Sequence, residues 1–367
     1  MSSSVAAIDT PALVIDLDAM QRNLERMAAF ARSHGLRLRP HAKMHTSAWI
    51  AQQQMAAGAV GVCVQKTSEA EALAALGVND IFISNEVIAP HKLARVAALA
   101  RHVRLAIAVD SALGVGRLAS AMQRSDGARI DVFVEIDVGH GRCGVPAADA
   151  AALAAQVIAH GLHFTGLQAY HGSAQHLRSA VERAAAIERA GACVRSARAA
   201  LAASGIACPL VTGAGSGSFV HEAASGLWGE LQAGSYLFMD RDYADNAAEP
   251  GAPTFEHALF VKCQVMSCSR EQAVVDAGHK AHAIDSGLPA VWQRDDLVFA
   301  NGGDEHGIVR ARRAGAALPA LGDTLWLVPG HCDPTVNLHD TMLGVRGGLV
   351  HGTVERSVAV DARGHLT

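Results

Sequence analysis

The sequence of 367 residues predicts a (β/α)8 barrel followed by an all-β domain. Two observations carry this expectation. Between about Asp18 and Leu237, short β-branched or apolar runs alternate with longer Ala-, Leu-, Arg- and Glu-rich stretches at helical spacing, giving eight βα units around a parallel sheet. Beyond Asp240 the helical pattern stops, and strand-like runs follow one another with no long helix between them.

The first strand signal, Ala12 to Ile15, precedes the barrel and can join the later β domain. The barrel strands are expected at Leu36 to Pro40, Gly61 to Gln65, Asp80 to Ser84 and Leu105 to Val109, then Val132 to Ile136, Phe164 to Ala169, Pro209 to Thr212 and Glu230 to Gly234. Among the helices between them, Thr67 to Leu76 opens on Thr67 and carries Glu69 and Glu71 in its first turn, where negative charge suits the helix dipole. A Pro- and Gly-containing linker, Asp245 to Pro253, leads into strands at Ala258 to Cys268, Gln272 to Asp276, Asp296 to Ala300 and Thr324 to Val328. The expected division is therefore a barrel over 18–244 and a β domain made of 1–17 and 245–367.

Composition narrows the function. A formal net charge of -4 with 18% charged residues gives no electrostatic footprint for nucleic acid, and 50% hydrophobic residues exclude a disordered chain. No apolar run reaches the roughly 18 to 20 residues that span a bilayer, and Met1 to Ala7 lacks a secretion signal, so a cytoplasmic protein without a membrane partner is expected. Seven cysteines without a CxxC pair read as reduced thiols. Nineteen histidines, several beside Asp, Gly or Pro at loop tips, point to metal or proton chemistry.

In such barrels the chemistry sits just after the strands. Lys43 follows the first barrel strand between His41 and His45, where burial would depress an ammonium pKa and free the amine for Schiff-base chemistry; a solvated surface charge is the other reading. Thr212 to Gly217 is a Gly/Ser turn opening a helix, suited to phosphate at its amides, although a tight βα turn also accounts for the glycines. Tyr236, after the eighth strand, offers a further hydroxyl. His331 and Asp333, one residue apart on an expected extended strand, would project to one face and grip a cation, with Cys332 pointing away; a polar turn is the alternative. Asp304-Glu305-His306 repeats the theme more weakly, and Arg142 lies between glycines, open to a planar anion or phenolate. Tyr170 and His176 flank the sixth loop, His176 serving either structure or proton transfer.

Taken together, Asp9-Thr10-Pro11-Ala12-Leu13-Val14, Arg39-Pro40-His41-Ala42-Lys43, Thr67-Ser68-Glu69-Ala70-Glu71 and Gly141-Arg142-Cys143-Gly144 form the first half of a motif series. Thr212-Gly213-Ala214-Gly215-Ser216, Gly303-Asp304-Glu305-His306-Gly307 and Pro329 to Asn337 complete it. In order and over the whole chain, the series resembles the fold-type III pyridoxal-phosphate enzymes, in the branch of the D-threonine aldolases and D-serine dehydratases.

The resemblance implies that Lys43 carries pyridoxal phosphate as a Schiff base, that Arg142 meets its phenolic oxygen and that Tyr170 seats the ring. Thr212, Gly213, Gly215, Ser216 and Tyr236 would surround the phosphate, and His331 with Asp333 would hold Mn²⁺ or Mg²⁺, or alternatively Zn²⁺. His176 is the candidate base, and Asp304 the candidate for fixing the metal's water shell or the substrate. The implied reaction is metal-assisted retro-aldol cleavage of D-threonine and related D-3-hydroxy-amino acids to glycine and an aldehyde, by a homodimer. Dehydration of D-serine or D-threo-3-hydroxyaspartate to an oxo acid is the alternative. Asp333, where dehydratases of this branch typically place Cys, favours the aldolase. A cofactor carrier would lack the β domain, and a metal-dependent hydrolase would lack colour.

Overall fold

The structure is a computed structural model that describes residues 3–249 and 251–367. Eight parallel strands form one sheet in the order Arg37–Leu38, Glu230–Leu231, Leu210–Gly213, His163–Ala169, Asp131–Glu135, Arg104–Val109, Asp80–Glu86 and Val62–Val64. A bridge between His41 and Cys63, with Val60 N donating to Leu38 O and Cys63 N to Pro40 O, brings the two ends of this sheet together. The TIM-type barrel expected from the sequence is thus present, all eight expected strands included.

The alternation of side chains across each strand sorts the barrel into two apolar layers. Cys63, Phe82, Ala106, Ala108 and Phe133 point inward, with the Phe82 and Phe133 rings 4.8 Å apart. Their neighbours Val62, Val64, Ile81, Ile83, Ile107 and Val134 point outward against the helices. Helix Leu17–Ser33 is capped by Asp16, whose Oδ1 accepts from Asp18 N and Ala19 N at 3.0 Å each. Its buried stripe of Leu17, Met20, Leu24, Met27 and Ala31 follows helical spacing. Glu69 caps the helix Thr67–Ala75 from inside, accepting from Gln65 N at 2.8 Å and Lys66 N at 2.9 Å.

The second sheet has nine strands. Ala12–Asp16 lies within it, antiparallel to Leu259–Cys268 and parallel to Thr341–Arg346. The sequence reading missed Ala290–Val291, Gly307–Ala311, Thr341–Arg346 and Thr353–Ala359. Two of these cross glycines, Gly307 and Gly344, which weaken a strand pattern while leaving room for Phe299 and Leu17 above them. A continuous core of Leu13, Leu24, Leu231, Leu237, Leu259 and Val261 joins the barrel's first helix and last strand to this sheet. The loop bearing His331 is thereby held over the C-terminal ends of the barrel strands. No helix among the described residues is long and apolar enough to cross a membrane.

Candidate active site

One cavity at the barrel mouth, about 100 Å³, is lined by residues from both sheets. From the barrel come His41, Lys43, Arg142, Tyr170, His176 and the turn Ala214 to Ser216, while His331 and Asp333 come from the β domain. Of the sequence candidates, Thr212, Gly213 and Tyr236 stand outside this lining. Thr212 is fully buried beneath it, donating to Glu230 Oε1 at 3.0 Å and accepting from Gln232 Nε2 at 2.9 Å. Tyr236 is fully buried with its ring 5.5 Å from Phe255, and only its backbone N reaches the turn, donating to Ser216 Oγ at 2.8 Å. Asp304 lies on an exposed turn, spent on His279 at 3.0 Å and Lys280 at 3.6 Å.

His331 and Asp333 do not lie on an extended strand. His331 has extended backbone, but Cys332–Val336 is a short helix, so Asp333 sits in its first turn. The two side chains still meet, His331 Nε2 lying 3.6 Å from Asp333 Oδ1, because the helical turn carries the carboxylate back toward its cap residue. Cys332 is turned inward and fully buried, as the reading of it pointing away requires.

Lys43 borders the cavity, its side chain 44% accessible, and its Nζ lies 3.6 Å from Asp333 Oδ2. The expectation of a depressed ammonium is overturned. Burial is the strongest single influence and pushes Lys43 down, but Asp333, Tyr170 and Glu69 together outweigh it and leave the amine raised. His331 shows the same contest. Burial opposes its charge, yet the Asp240 hydrogen bond and Asp333 push it up to about 9. Its Nδ1 is 2.6 Å from Asp240 Oδ2, which also accepts from Cys332 N at 3.0 Å. That contact leaves Nε2 turned to Asp333, whose Oδ1 is buried and accepts no hydrogen bond. An imidazole nitrogen and an unsatisfied carboxylate oxygen form a donor set fit for a divalent cation.

Arg142 lies with its guanidinium 5.8 Å from the centre of the Tyr170 ring. The turn after Leu210–Gly213 opens with Ala214 at φ 71°, a left-handed conformation rare outside glycine and found at functional turns. A Cβ at Gly215 would strike Gln175 Oε1. Gln175 cannot step aside: it donates to Ser218 Oγ at 2.7 Å and accepts from Gly217 N at 2.9 Å. A turn of small residues, an amine and a guanidinium around one cavity fit an aldehyde cofactor with an anionic arm.

Sequence reasoning passed over Asp240, Asp242, Tyr243, Gln168 and Gln232. Asp242 Oδ2 lies 2.5 Å from His176 Nδ1, and its other oxygen bonds Arg178. Burial works against its charge, but Arg178 and His176 hold the Asp242 carboxyl below its usual range. The repeat Asp240-Arg241-Asp242 was the available signal, since two acids at strand spacing just past the last barrel unit fall at the rim.

Behind Lys43, fully buried His45 accepts from Ser47 N at 3.0 Å and meets Gln54 Oε1 at 3.3 Å. Burial pushes it down to about 4. An unfolded histidine takes its proton near 6.5, so His45 stabilises the fold fully above that pH and loses about 3 kcal/mol as pH falls through 4. Urea unfolding at pH 6.5 and 4.5 measures this: a His45→Gln variant should lose roughly 2 kcal/mol less than the wild type. Equal losses would assign the acid sensitivity elsewhere.

Residues 15–242 match the family described as Alanine racemase, N-terminal domain, and residues 258–345 the Putative serine dehydratase domain. A D-threonine aldolase of Arthrobacter sp is 46% identical, over 98% of this chain and 94% of that protein. A 3-hydroxy-D-aspartate aldolase of Paracoccus denitrificans is 43% identical, over 97% of this chain and 92% of its own length. The crystal structure of D-threonine aldolase from Filomicrobium marinum superposes with a TM-score of 0.96 at 48% identity, covering 100% of this chain and 99% of that one.

Proposed function

The chain belongs to the alanine racemase-like, fold-type III family of pyridoxal-phosphate enzymes, and on that premise we propose that it cleaves D-threonine and related D-3-hydroxy-amino acids to glycine and an aldehyde. The observation that carries this reading is the convergence of Lys43, Arg142, Tyr170, His176, His331 and Asp333 on one cavity.

Lys43 would hold the cofactor through its amine, with Arg142 as the partner for its phenolic oxygen and the turn Ala214 to Ser216 as the seat for its phosphate. When bound, the cofactor would supply an electron sink, and a divalent cation, Mn²⁺ or Mg²⁺, would supply a Lewis acid. His331 and Asp333 would hold that cation. His176 removes the hydroxyl proton at Nε2, the nitrogen not bonded to Asp242, as the C–O bond becomes the aldehyde carbonyl. Tyr170 lies beneath Arg142 and forms part of the cavity wall. The proton that His176 takes from the hydroxyl balances the one that Cα gains, which leaves glycine.

Incubation with D-threonine and with D-threo-3-hydroxyaspartate tests the reading, with glycine, aldehyde and oxaloacetate measured together. Glycine and aldehyde in equal amounts are expected from D-threonine. Oxaloacetate without glycine would make the protein a dehydratase instead.

A further inference from the structure

Asp240, Arg241 and Asp242 form the exit from the last barrel unit, and they are fastened on both sides. Arg241 N and Asp242 N donate to Pro329 O and Gly330 O at 3.1 Å each, pinning the loop that leads to His331. On the other side Asn246 Nδ2 donates to Gln175 O at 2.9 Å and Ala247 N to Arg178 O at 2.9 Å, pinning the loop that bears His176. Each acid then takes one imidazole: Asp240, fully buried, takes His331, and Asp242, 7% exposed, takes His176. Tyr243 stands between the two rings, its own ring centre 5.7 Å from that of His176 and 6.4 Å from that of His331.

We propose that Asp242 is a positioning residue for the cleavage: by accepting a proton-bearing Nδ1 from His176, it fixes that ring with Nε2 as the bare nitrogen on the cavity wall. The inference rests on His176 being the base. His176 is half exposed, with 52% of its side chain accessible, and Tyr243 meets it only ring to ring, so the Asp242 hydrogen bond is the contact that selects one ring flip and one tautomer. An imidazole protonated at Nε2 has no lone pair there and cannot take the hydroxyl proton. Arg178 balances the Asp242 charge from the far oxygen, which keeps the carboxylate an acceptor toward His176.

The test reads both the ring and the rate. In holoenzyme labelled with ¹⁵N-histidine, with His176 assigned by its loss in His176→Gln, Nδ1 should be of the protonated type and Nε2 of the bare type at pH 7.5. Asp242→Asn, whose amide can donate to Nδ1, should invert or mix that pattern and lower kcat roughly 100-fold or more, with KM for D-threonine within about threefold. Asp242→Glu should keep the wild-type pattern and recover at least about tenfold of the lost rate. Asp242→Ser, which shortens the acceptor, repeats the measurement if the amide variant does not fold. A bare Nδ1 or a doubly protonated ring in the wild type overturns the proposal, as does a variant rate within about threefold of wild type, a loss confined to KM, or a failed Glu rescue. A wild-type enzyme that makes no glycine would sink the aldolase reading alone, since the nitrogen spectra need no substrate.

Discussion

Lys43→Ala is expected to give a folded, colourless protein whose aldehyde release from D-threonine falls by about four orders of magnitude or more. The size follows from the role assigned to this side chain. In that proposed role its amine anchors the cofactor, and losing the group that joins two catalytic partners removes their combined contribution, as removing one member of a catalytic unit does elsewhere. Folding should survive, because the Lys43 side chain is 44% accessible and, among the described residues, its charge partner within 4 Å is Asp333, itself at the cavity edge. Borohydride reduction of the wild type followed by peptide mass spectrometry should place the pyridoxyl label on the peptide containing Lys43. A label on another peptide, or a yellow Lys43→Ala protein, would remove the anchor and with it the proposed mechanism.

The second large effect is expected from the β domain. His331→Ala and Asp333→Ala should keep the colour, because neither residue is proposed to hold the cofactor, yet each should lower cleavage by roughly 1,000-fold. A bound cation stabilises the developing alkoxide by several kcal/mol, and about 1.4 kcal/mol is one decade of rate. Chelation of the wild type should reproduce the loss, and Mn²⁺ should restore it in the wild type only. The proton on His331 sets the pH dependence. With the imidazole held up to about 9, a cation must displace a proton below that value, so metal affinity should rise with pH toward 9 and level off above it. Full activity after chelation, with metal absent by elemental analysis, would take the cation out of the reaction.

The sequence by itself fixed more of the barrel than of the site. Each barrel strand is a local apolar run beside a helix of its own, and the alternation that buries Phe82 inward and Ile81 outward is written in adjacent residues. Lys43, Arg142, Tyr170 and the turn at Gly215 were legible for the same reason, since a strand's end is a local property and a barrel sends its ends to one rim. His331 and Asp333 were found as a pair but assigned the wrong backbone, because a five-residue helix offers too few turns for a 3.6 period to register.

Tertiary structure decided the rest. Whether Tyr236 points its hydroxyl into the cavity or its ring into the core depends on Phe255, 19 positions on, and the core won because burying an aromatic ring outweighs one hydroxyl contact. Asp333, 290 positions away, leads the groups that together hold the Lys43 ammonium up against burial. His176 meets Asp242 across 66 positions and His331 meets Asp240 across 91. Periodicity records which face a residue takes on its own element. It carries nothing about which element will lie opposite, and the orientation of both imidazoles is a property of that second fact.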